Sequence, residues 1–380
     1  MPLAYFDHAA TTPLRPEARE AMLPYLADSF GNPSGAHLLA RQARRAIDDA
    51  RDTMAEVLGC EPGEVVFTSG GTESDNLAVL GVHDARGGVA VCSAIEHHAV
   101  LDPVEHIGGR VVGADARGVI ALDALADALD ESVTFVSVHL VNNEIGSVQP
   151  LDAVAAVVRE RAPGAVLHTD AVQAVCWLDV ADRAASADLI SVSAHKFGGP
   201  KGVGVLAIRD GVELAPRVFG GGQERDRRSG TQNVAGIVAM AAAARVTAEE
   251  RKAVVEEVGA RRDRLADGLV AAIPGTVETA VVGGDRRHKI AGNCHVCIEG
   301  IESEALLVLL ERDEVYASAA SSCSSGAQDP SHVLRALGVP RVRAQGSLRL
   351  SLCHLSTDDE VDRALDALPR AVERLRLFGS

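Results

Sequence analysis

Short runs of apolar, β-branched residues alternate with stretches of helical periodicity along most of this chain, and this alternation restricts the fold more than any other feature. Strands that alternate with helices in this way form a mostly parallel sheet with helices on both faces. We therefore predict an α/β protein with helices over residues 16–26, 36–58, from residue 74 to about 82, and from 245 to about 273. The predicted strands are residues 64–68, 88–92, 110–112, 133–138, 166–168, 188–193 and 204–208.

Polar residues follow the ends of several predicted strands. In an open sheet of this kind, ligands bind beyond the carboxyl ends of the strands. Because these polar positions all fall at that edge, we predict that they form one ligand site. The residues concerned are His97, Asn142, Asn143, Glu144, Asp170, Gln173, His195 and Lys196.

Lys196 and Asp170 indicate the chemistry of this site. Lys196 follows a buried strand, where desolvation favours the neutral amine that condenses with an aldehyde to give a Schiff base. Asp170, 26 residues upstream at the end of another apolar run, suits a pyridinium nitrogen. Such a pair is the pattern of an enzyme that uses pyridoxal 5'-phosphate (PLP). A lysine in a glycine turn is, taken alone, more often a surface residue.

A glycine pair, Gly70-Gly71, stands between the predicted strand at 64–68 and the next helix. Glycines let the backbone approach a ligand closely, and the N–H groups of a helix N-terminus attract anions. The segment lacks the lysine of a Walker A loop and the GxGxxG spacing of a dinucleotide site. A phosphate monoester is the ligand that fits best, and a helix start without a ligand is the commoner alternative.

Composition disfavours several classes of function. The chain has 380 residues and a formal net charge of −16, which argues against a surface for nucleic acid or an anionic membrane. It has no apolar run that would span a bilayer and no signal peptide. Its seven cysteines are scattered, so we expect a cytoplasmic protein with free thiols. Cys294 and Cys297 have no second ligand pair and are predicted to lie on a strand rather than in a metal site.

The motifs, in their order and spacing, resemble those of cysteine desulfurases of the NifS/IscS type, within the class V aminotransferase family of PLP enzymes. The resemblance covers nearly the whole chain. The loop SSCSSG at 321–326, followed by PSHVLRALG at 330–338, is typical of the desulfurase branch with a longer mobile cysteine loop. The other motifs are FGNPS at 30–34, FTSGGTESDNL at 67–77, EH at 96–97, VNNEIG at 141–146, HTDAVQ at 168–173, SAHKFGGPKG at 193–202, GGGQER at 220–225 and RSGTQN at 228–233.

This resemblance implies the fold of the PLP-dependent transferases, similar to aspartate aminotransferase. A large α/β domain would surround a mostly parallel seven-stranded sheet, and a smaller α+β domain would pack beside it. The large, PLP-binding domain would take residues 14–250. The small domain would combine residues 1–13 with 251–380 and would carry the loop of the catalytic cysteine.

The resemblance also implies a role for each site residue. Lys196 would form the Schiff base with PLP, and Asp170 would pair with its protonated pyridine nitrogen. His97 would stack on the ring and assist proton transfers, and Arg349 would bind the substrate carboxylate. The remaining cofactor residues would be Gln173 and Asn143 at the phenolic oxygen, Asn143 also lying close to the substrate, and Gly71, Thr72, Ser193, His195 and the partner subunit's Thr231 at the phosphate.

The implied reaction converts L-cysteine to L-alanine and leaves a persulfide on Cys323, whose thiolate is the nucleophile. A homodimer would pass the sulfur to an acceptor protein for iron–sulfur cluster assembly, or for thiolation of tRNA, cofactors or DNA, without itself binding nucleic acid or membrane. Selenocysteine lyase is the alternative that shares most of the site. A simple aminotransferase would not need the thiol, and a non-catalytic sulfur-transfer scaffold would not need Lys196, Asp170 and His97.

Two positions depart from the family pattern. Ala320 stands where a glycine is usual, three residues before Cys323, and predicts a slightly stiffer loop. Cys353-His354 replaces the usual Gly-Arg after the strand that carries Arg349. This second change affects the contacts expected near the substrate entrance.

Overall fold

The computed structural model describes residues 3–319 and 331–378. In chain order, the strands are β1 (Ala4–Tyr5), β2 (Val65–Thr68), β3 (Val89–Ser93), β4 (Arg110–Val112), β5 (Val133–Ser137), β6 (Val166–Asp170), β7 (Leu189–Ser193), β8 (Gly204–Ile208), β9 (Thr276–Glu278), β10 (Asn293–Ile298), β11 (Val315–Tyr316) and β12 (Ser347–Ser351). The α-helices are α1 (Pro16–Leu26), α2 (Leu38–Leu58), α3 (Gly71–Arg86), α4 (His98–His106), α5 (Leu122–Ala128), α6 (Leu151–Arg161), α7 (Val180–Arg183), α8 (Val234–Ala272), α9 (Ser303–Arg312), α10 (His332–Ala336), α11 (Arg341–Ala344) and α12 (Asp358–Phe378).

The large sheet has seven strands in the order β2-β8-β7-β6-β5-β3-β4. Strands β3 to β7 pair in parallel, and β8 runs antiparallel to both β7 and β2. Every residue of β6 and β7 is buried because α3 and α4 cover one face, while α1, α2, α6 and the start of α8 cover the other. The predicted α/β fold with a mostly parallel seven-stranded sheet is confirmed.

A second hydrophobic core lies around the antiparallel sheet β12-β10-β9 and the short parallel pair β1–β11. Helices α9 and α12 pack on it, together with Ala4 and Phe6 from the start of the chain. Helix α8 joins both cores, since Ile237–Ala244 lie in the first and Val258–Leu269 in the second. This arrangement suits the proposed division into residues 14–250 and residues 1–13 with 251–380, whose boundaries stay a prediction.

Helix α8 differs from its sequence prediction, whereas strand β7 ends where it was predicted to end. Helix α8 begins at Val234, 11 residues before the expected start at residue 245. Its first turns are almost entirely Ala, Val, Ile, Gly and Met, and they are buried on most sides, so they carry no amphipathic pattern. Strand β7 ends at Ser193, and a single 3₁₀ turn over Ala194–Lys196 then carries the lysine.

Within residues 3–319 and 331–378, no helix has the length and apolarity that a membrane crossing requires. Cys294 and Cys297 lie on strand β10, as predicted, and both are free thiols. In the same ranges, no group of three or more His, Cys, Asp or Glu side chains is arranged to hold a metal ion.

Candidate active site

A cavity of about 460 Å³ lies beyond the carboxyl ends of the parallel strands, where the second core meets the large sheet. Ten of the residues selected from the sequence line it together: Gly71, Thr72, His97, Asn143, Asp170, Gln173, Ser193, His195, Lys196 and Arg349. Its wall also contains Asp7, Ala9, Ala10, Asp75, His139, Val141, Val172 and Ser318. Parallel pairing brings these distant positions together because the strands all end at the same edge.

The Lys196 amine is held by the start of the chain. Its Nζ donates hydrogen bonds to the carbonyl oxygens of Ala9, at 2.6 Å, and Ala10, at 2.9 Å. Gln173 Nε2 donates to the same Ala9 oxygen at 2.8 Å. Lys196 is half-buried rather than fully buried because the cavity opens directly onto it. An amine fixed by two carbonyls inside a cavity is oriented to meet an electrophile.

Asp170 is a buried carboxylate at the end of β6. Its Oδ1 accepts a hydrogen bond from Val172 N at 2.8 Å, and burial raises its pKa to about 6. Asp75, on α3, is also buried, and burial followed by the charge of Asp170 raises its pKa well above the ordinary value. Ionising both of two neighbouring buried carboxyls would cost electrostatic free energy, so the pair retains a proton. A cationic group placed beside Asp170 would favour its charged form.

His97 and His195 are neutral imidazoles in the cavity wall. His97 Nδ1 accepts from Ala99 N at 3.1 Å, which caps α4 and assigns the ring proton to Nε2. Burial, and then the charge of Lys196, lowers the pKa of His97 to about 4. The same two causes lower the pKa of His195 to about 4, and its Nδ1 lies 3.2 Å from Thr11 Oγ1. Both rings are therefore uncharged near neutral pH.

The N-terminus of α3 borders the cavity at a place where an anion could bind. Gly70 stands before the helix at φ 152° and provides no side-chain cap, and a Cβ on Gly71 would come within 2.8 Å of Val172 Cγ2. Only glycine suits the first of these conformations. Thr72, Ser193 and His195 border the same part of the cavity. The backbone N–H groups there remain accessible to an oxyanion.

Arg349 forms the opposite wall, on strand β12 of the second sheet. The residue is 6% exposed; its Nη2 lies 2.7 Å from Asp7 Oδ1, and its Nη1 donates to Asn143 O at 3.1 Å. Its Nε is buried and has no hydrogen-bond partner among the described residues. A guanidinium held in this way still has a donor to offer, which suits a ligand carboxylate.

Thr231 is not in this cavity wall. Thr231 is exposed on its own chain, on a loop that Glu224 fastens through a buried ion pair with Arg51 at 2.8 Å. Its assignment to the partner's site stays a prediction. Cys323 and Ala320 lie outside the described residues. Residues on either side of that segment are described. Ser318 pairs through its backbone with Arg349, and Ser331 Oγ donates to Glu144 Oε2 at 2.5 Å.

Cys353-His354 lies behind the cavity rather than in its wall. Cys353 is buried, and its Sγ is 3.4 Å from His8 Nε2. Burial raises the pKa of this thiol to about 11, so it stays protonated near neutral pH. Burial also lowers the pKa of His354 to about 4. The departure from the family pattern therefore changes packing next to the site without adding a charged group to the cavity.

Sequence reasoning assigned no role to several residues of the site, of which Asp7, Asp75 and His139 are the most prominent. Asp7 lies in a polar turn whose contact with Arg349, 342 positions away, has no signal in the sequence. Asp75 is on a helix and was hidden inside the glycine motif. His139 did carry a usable signal, since it follows the end of strand β5 as the other site residues follow theirs.

The donor set of the cavity fits PLP. The cavity supplies an amine for an aldehyde, a buried carboxylate for a ring nitrogen and an uncapped helix start for a phosphate. Two buried nitrogen atoms in the wall, Arg349 Nε and His139 Nε2, have no partner among the described residues. Unsatisfied buried donors of this kind indicate that a polar ligand completes the site.

Comparison with known proteins gives the same assignment. Residues 4–364 match the family model described as Aminotransferase class-V. The chain is 44% identical over 392 residues to an IscS-like cysteine desulfurase of Mycobacterium tuberculosis, covering 98% of this chain and 97% of the relative. A solved NifS-like protein matches with a TM-score of 0.91 at 34% identity, over 98% of this chain and 100% of that one. The structure titled SspA in complex with cysteine matches with a TM-score of 0.79 at 32% identity, over 93% and 100%.

Proposed function

The chain belongs to the class-V aminotransferase family, and from this premise we propose how its residues divide the work of the reaction. It is a PLP-dependent cysteine desulfurase, which converts L-cysteine to L-alanine and transfers the sulfur. The observation that carries the proposal is the meeting of Lys196, Asp170 and Arg349 in one cavity. An amine, a carboxylate for a ring nitrogen and a guanidinium for a carboxylate are what this chemistry requires.

When bound, PLP supplies an aldehyde that links to amines and a protonated ring that accepts the electron pair released at the carbon next to the substrate's amino group. We assign its anchoring to Lys196 and Asp170, with Gln173 and Asn143 at the phenolic oxygen. The phosphate would be held at the N-terminus of α3 by Gly71, Thr72, Ser193 and His195. The partner subunit's Thr231 would complete that phosphate site.

Arg349 orients the substrate. Its guanidinium is already held by Asp7 and by the Asn143 carbonyl, so little side-chain entropy is lost when a carboxylate binds. This places the substrate's amino group towards Lys196 on the other side of the cavity. Once displaced from the cofactor, the Lys196 amine is the base that removes the α-proton. His97, neutral and protonated at Nε2, would stack on the ring of bound PLP and assist proton transfers.

Cys323 receives the sulfur. Its thiolate attacks the sulfur atom of the bound cysteine, so that an S–S bond forms as the C–S bond breaks. The electron pair of the broken bond stays on the carbon, which takes up a proton and leaves as alanine. Only five peptide steps of chain join Cys323 to Ser318, which lies in the cavity wall. Five peptide steps span at most roughly 18 Å between Cα atoms in a fully extended chain.

The assembly and the acceptor follow from the same premise. We assign the chain to a cytoplasmic homodimer, and the exposed loop that carries Phe219, 82% exposed, and Thr231 supports a subunit contact there. The acceptor is a protein of iron–sulfur cluster assembly or of another thiolation pathway. The net charge of −16 favours transfer to a protein over direct action on nucleic acid.

Absorbance and alanine release test this assignment together. Purified protein loaded with PLP should show the visible band of the cofactor linked to Lys196, and Lys196→Ala should abolish it. Lys201→Ala, in the same glycine loop but exposed, is the matched control and should keep the band. Cys323→Ala should keep the band and lose the persulfide. A wild-type protein that binds no PLP, or that retains the band without Lys196, would overturn the assignment.

A further inference from the structure

The segment between β5 and α6 contains Glu144, a buried acidic residue to which the reaction described above gives no role. Glu144 is 5% exposed and directly follows Asn143 of the cavity wall. The side chain of Asn142 holds this segment in place, because its Oδ1 accepts the main-chain N–H groups of Glu144 and Ile145, both at 2.9 Å. The Asn142 amide also donates to Ile95 O at 2.9 Å. The backbone that carries Glu144 is therefore fixed at several points.

The Glu144 carboxyl fastens the start of helix α10. Ser331 Oγ donates to Glu144 Oε2 at 2.5 Å. The same hydroxyl oxygen accepts the main-chain N–H groups of Val333, at 3.1 Å, and Leu334, at 3.5 Å. Ser331 is thus the N-cap of α10, and Glu144 accepts the one proton that this hydroxyl can donate. Val333 and Leu334 then pack with Ile95 in a small apolar cluster.

His332 makes a second attachment of α10 to the edge of the cavity. Its Nε2 lies 2.9 Å from Glu96 O, and its ring centroid lies 4.6 Å from that of His98. Glu96 and His98 are the two sequence neighbours of His97, which lines the cavity. Helix α10 is therefore held at two places by sequence neighbours of cavity residues.

Arg349 connects this attachment to the substrate site. Its Nη1 donates to Asn143 O, one residue before Glu144. Burial raises the pKa of Glu144 to about 7, and the Ser331 hydroxyl and then the charge of Arg349 act in the opposite direction. The guanidinium that we assign to the substrate carboxylate is therefore linked to the cap of α10 through two consecutive residues.

The chain on the other side of Cys323 is attached to Arg349 as well. Ser318 and Arg349 exchange two main-chain hydrogen bonds, at 2.8 and 3.1 Å. Cys323 itself lies outside the described residues, five positions after Ser318 and eight before Ser331. One arginine thus connects the proposed site of the substrate carboxylate with the chain on both sides of the nucleophile.

We propose that Glu144 is a positioning residue for sulfur transfer, which acts through Ser331 by holding helix α10 against the cavity while Arg349 holds the substrate. This role rests on the proposed function of Cys323 as the residue that receives the sulfur. Two reacting groups combine fast only when both are held in the right geometry, and a displacement of about 1 Å can cost a large factor in rate. Loss of the Glu144–Ser331 contact should therefore slow sulfur transfer and leave the earlier step, in which cysteine joins the cofactor, unchanged.

The test is a single turnover of the holoenzyme with cysteine, in which two rates are followed. Absorbance reports the change of the visible PLP band when cysteine is added, and mass spectrometry reports the persulfide on Cys323. We expect Glu144→Ala and Ser331→Ala to slow persulfide formation roughly tenfold without changing the rate of the absorbance step. Glu144→Gln keeps an acceptor for the Ser331 hydroxyl and should restore most of the rate. The double variant Glu144→Ala/Ser331→Ala should be no slower than either single variant, because both changes remove one contact.

A matched control separates this contact from the loss of any helix cap. Thr357 and Glu360 cap α12 in a similar way, since Thr357 Oγ1 accepts Glu360 N at 3.3 Å and Thr357 N donates to Glu360 Oε2 at 2.7 Å. Thr357→Ala should keep both rates. Persulfide formation at the wild-type rate in Glu144→Ala and Ser331→Ala would overturn the proposal, and so would an equal slowing of both steps. A wild-type protein that binds PLP but forms no persulfide on Cys323 would instead overturn the function on which the proposal rests.

Discussion

At the scale of single residues, the contacts of Arg349 separate binding of the substrate from binding of the cofactor. Arg349 reaches the cavity from the second sheet, whereas the proposed cofactor contacts come from the large sheet and from the helix that starts at Gly71. Asp7 and the Asn143 carbonyl fix the guanidinium before any ligand arrives. A substitution of Arg349 should therefore alter the kinetics of the reaction with cysteine and leave the binding of the cofactor unaffected.

We expect Arg349→Ala to lower kcat/KM for cysteine on the order of 100-fold, because the substrate carboxylate loses a charge-assisted, bidentate partner worth about 3 kcal/mol. The visible band of bound PLP should keep its position and intensity. Arg343→Ala is the matched control, since that arginine pairs with Glu299 at 2.6 Å on the surface. An unchanged KM and kcat in Arg349→Ala would remove Arg349 from the substrate site.

Glu144 makes a pH-dependent contribution to the stability of the fold. Burial raises its pKa from an ordinary value of 4.5 to about 7. Between these two pH values the folded chain holds a proton that the unfolded chain has lost, so this group makes the fold less stable as the pH rises. Glu144→Gln removes that loss and keeps an acceptor for the Ser331 hydroxyl.

The measurement is the free energy of unfolding of wild type and Glu144→Gln from pH 4.5 to pH 8. The free energy of unfolding of the variant, relative to that of the wild type, should increase by up to about 1.4 kcal/mol per pH unit up to pH 7. Above pH 7 this difference should stay constant. Glu304→Gln, at an exposed carboxylate on α9, should show no such trend. A difference between wild type and Glu144→Gln that does not depend on pH would contradict the assigned burial effect.

At the scale of elements, the start of helix α3 determines how closely a phosphate can approach. We expect Gly71→Ala to weaken PLP binding about tenfold, because the added Cβ would come within 2.8 Å of Val172 Cγ2 and one of the two must move. Gly164→Ala is the control, since a Cβ there meets nothing within 4 Å. Equilibrium dialysis measures the PLP affinity of both variants. Unchanged affinity in Gly71→Ala would show that the start of α3 does not contact the ligand.

The sequence predicted elements well where the pattern of side chains changes sharply. Helices α1 and α2 and the seven strands of the large sheet lie within a few residues of the prediction, because apolar runs end at glycine, proline or charge. Helix α8 was predicted too short because its start, Val234–Ala244, is apolar on nearly every side. Sequence periodicity cannot mark a helix that is buried all around.

The site could be predicted only as far as strand ends are recognisable. Lys196, Asp170 and His97 follow strands, and their meeting at one edge follows from parallel pairing. The partner of each side chain was not predictable, because it depends on register: Ser137 opposite His168 is what brings those two side chains together. Asp7 and Arg349 meet because the start of the chain bridges to strand β12 at Ser351, a long-range pairing that no local pattern encodes.

At the scale of the whole molecule, two exposed residues argue that a single chain is not the working unit. Phe219 is 82% exposed, and Thr231 lies on the same glycine-rich loop, which the Arg51–Glu224 ion pair fastens to the large sheet. A large aromatic side chain in solvent costs free energy that a subunit contact would recover. We therefore expect a dimer in sedimentation experiments, in which each loop contributes to the partner's phosphate site.

Phe219→Asp should shift the sedimentation of the holoenzyme towards the monomer and weaken PLP binding with it, because the partner's Thr231 is lost from the phosphate site. Val342→Asp is the matched control, at a residue 71% exposed on α11. The control should remain dimeric with full PLP affinity. A stable monomer that binds PLP as tightly as wild type would contradict the shared phosphate site.

We propose that one chain joins PLP chemistry at Lys196 to sulfur transfer at Cys323. The most direct test is a single turnover with cysteine that carries a heavy sulfur isotope, followed by peptide mass spectrometry of the enzyme. We predict one heavy sulfur atom on the peptide that contains Cys323, in an amount equal to the alanine formed. Alanine release with the label absent from Cys323, or with the label on another of the seven cysteines, would contradict the account.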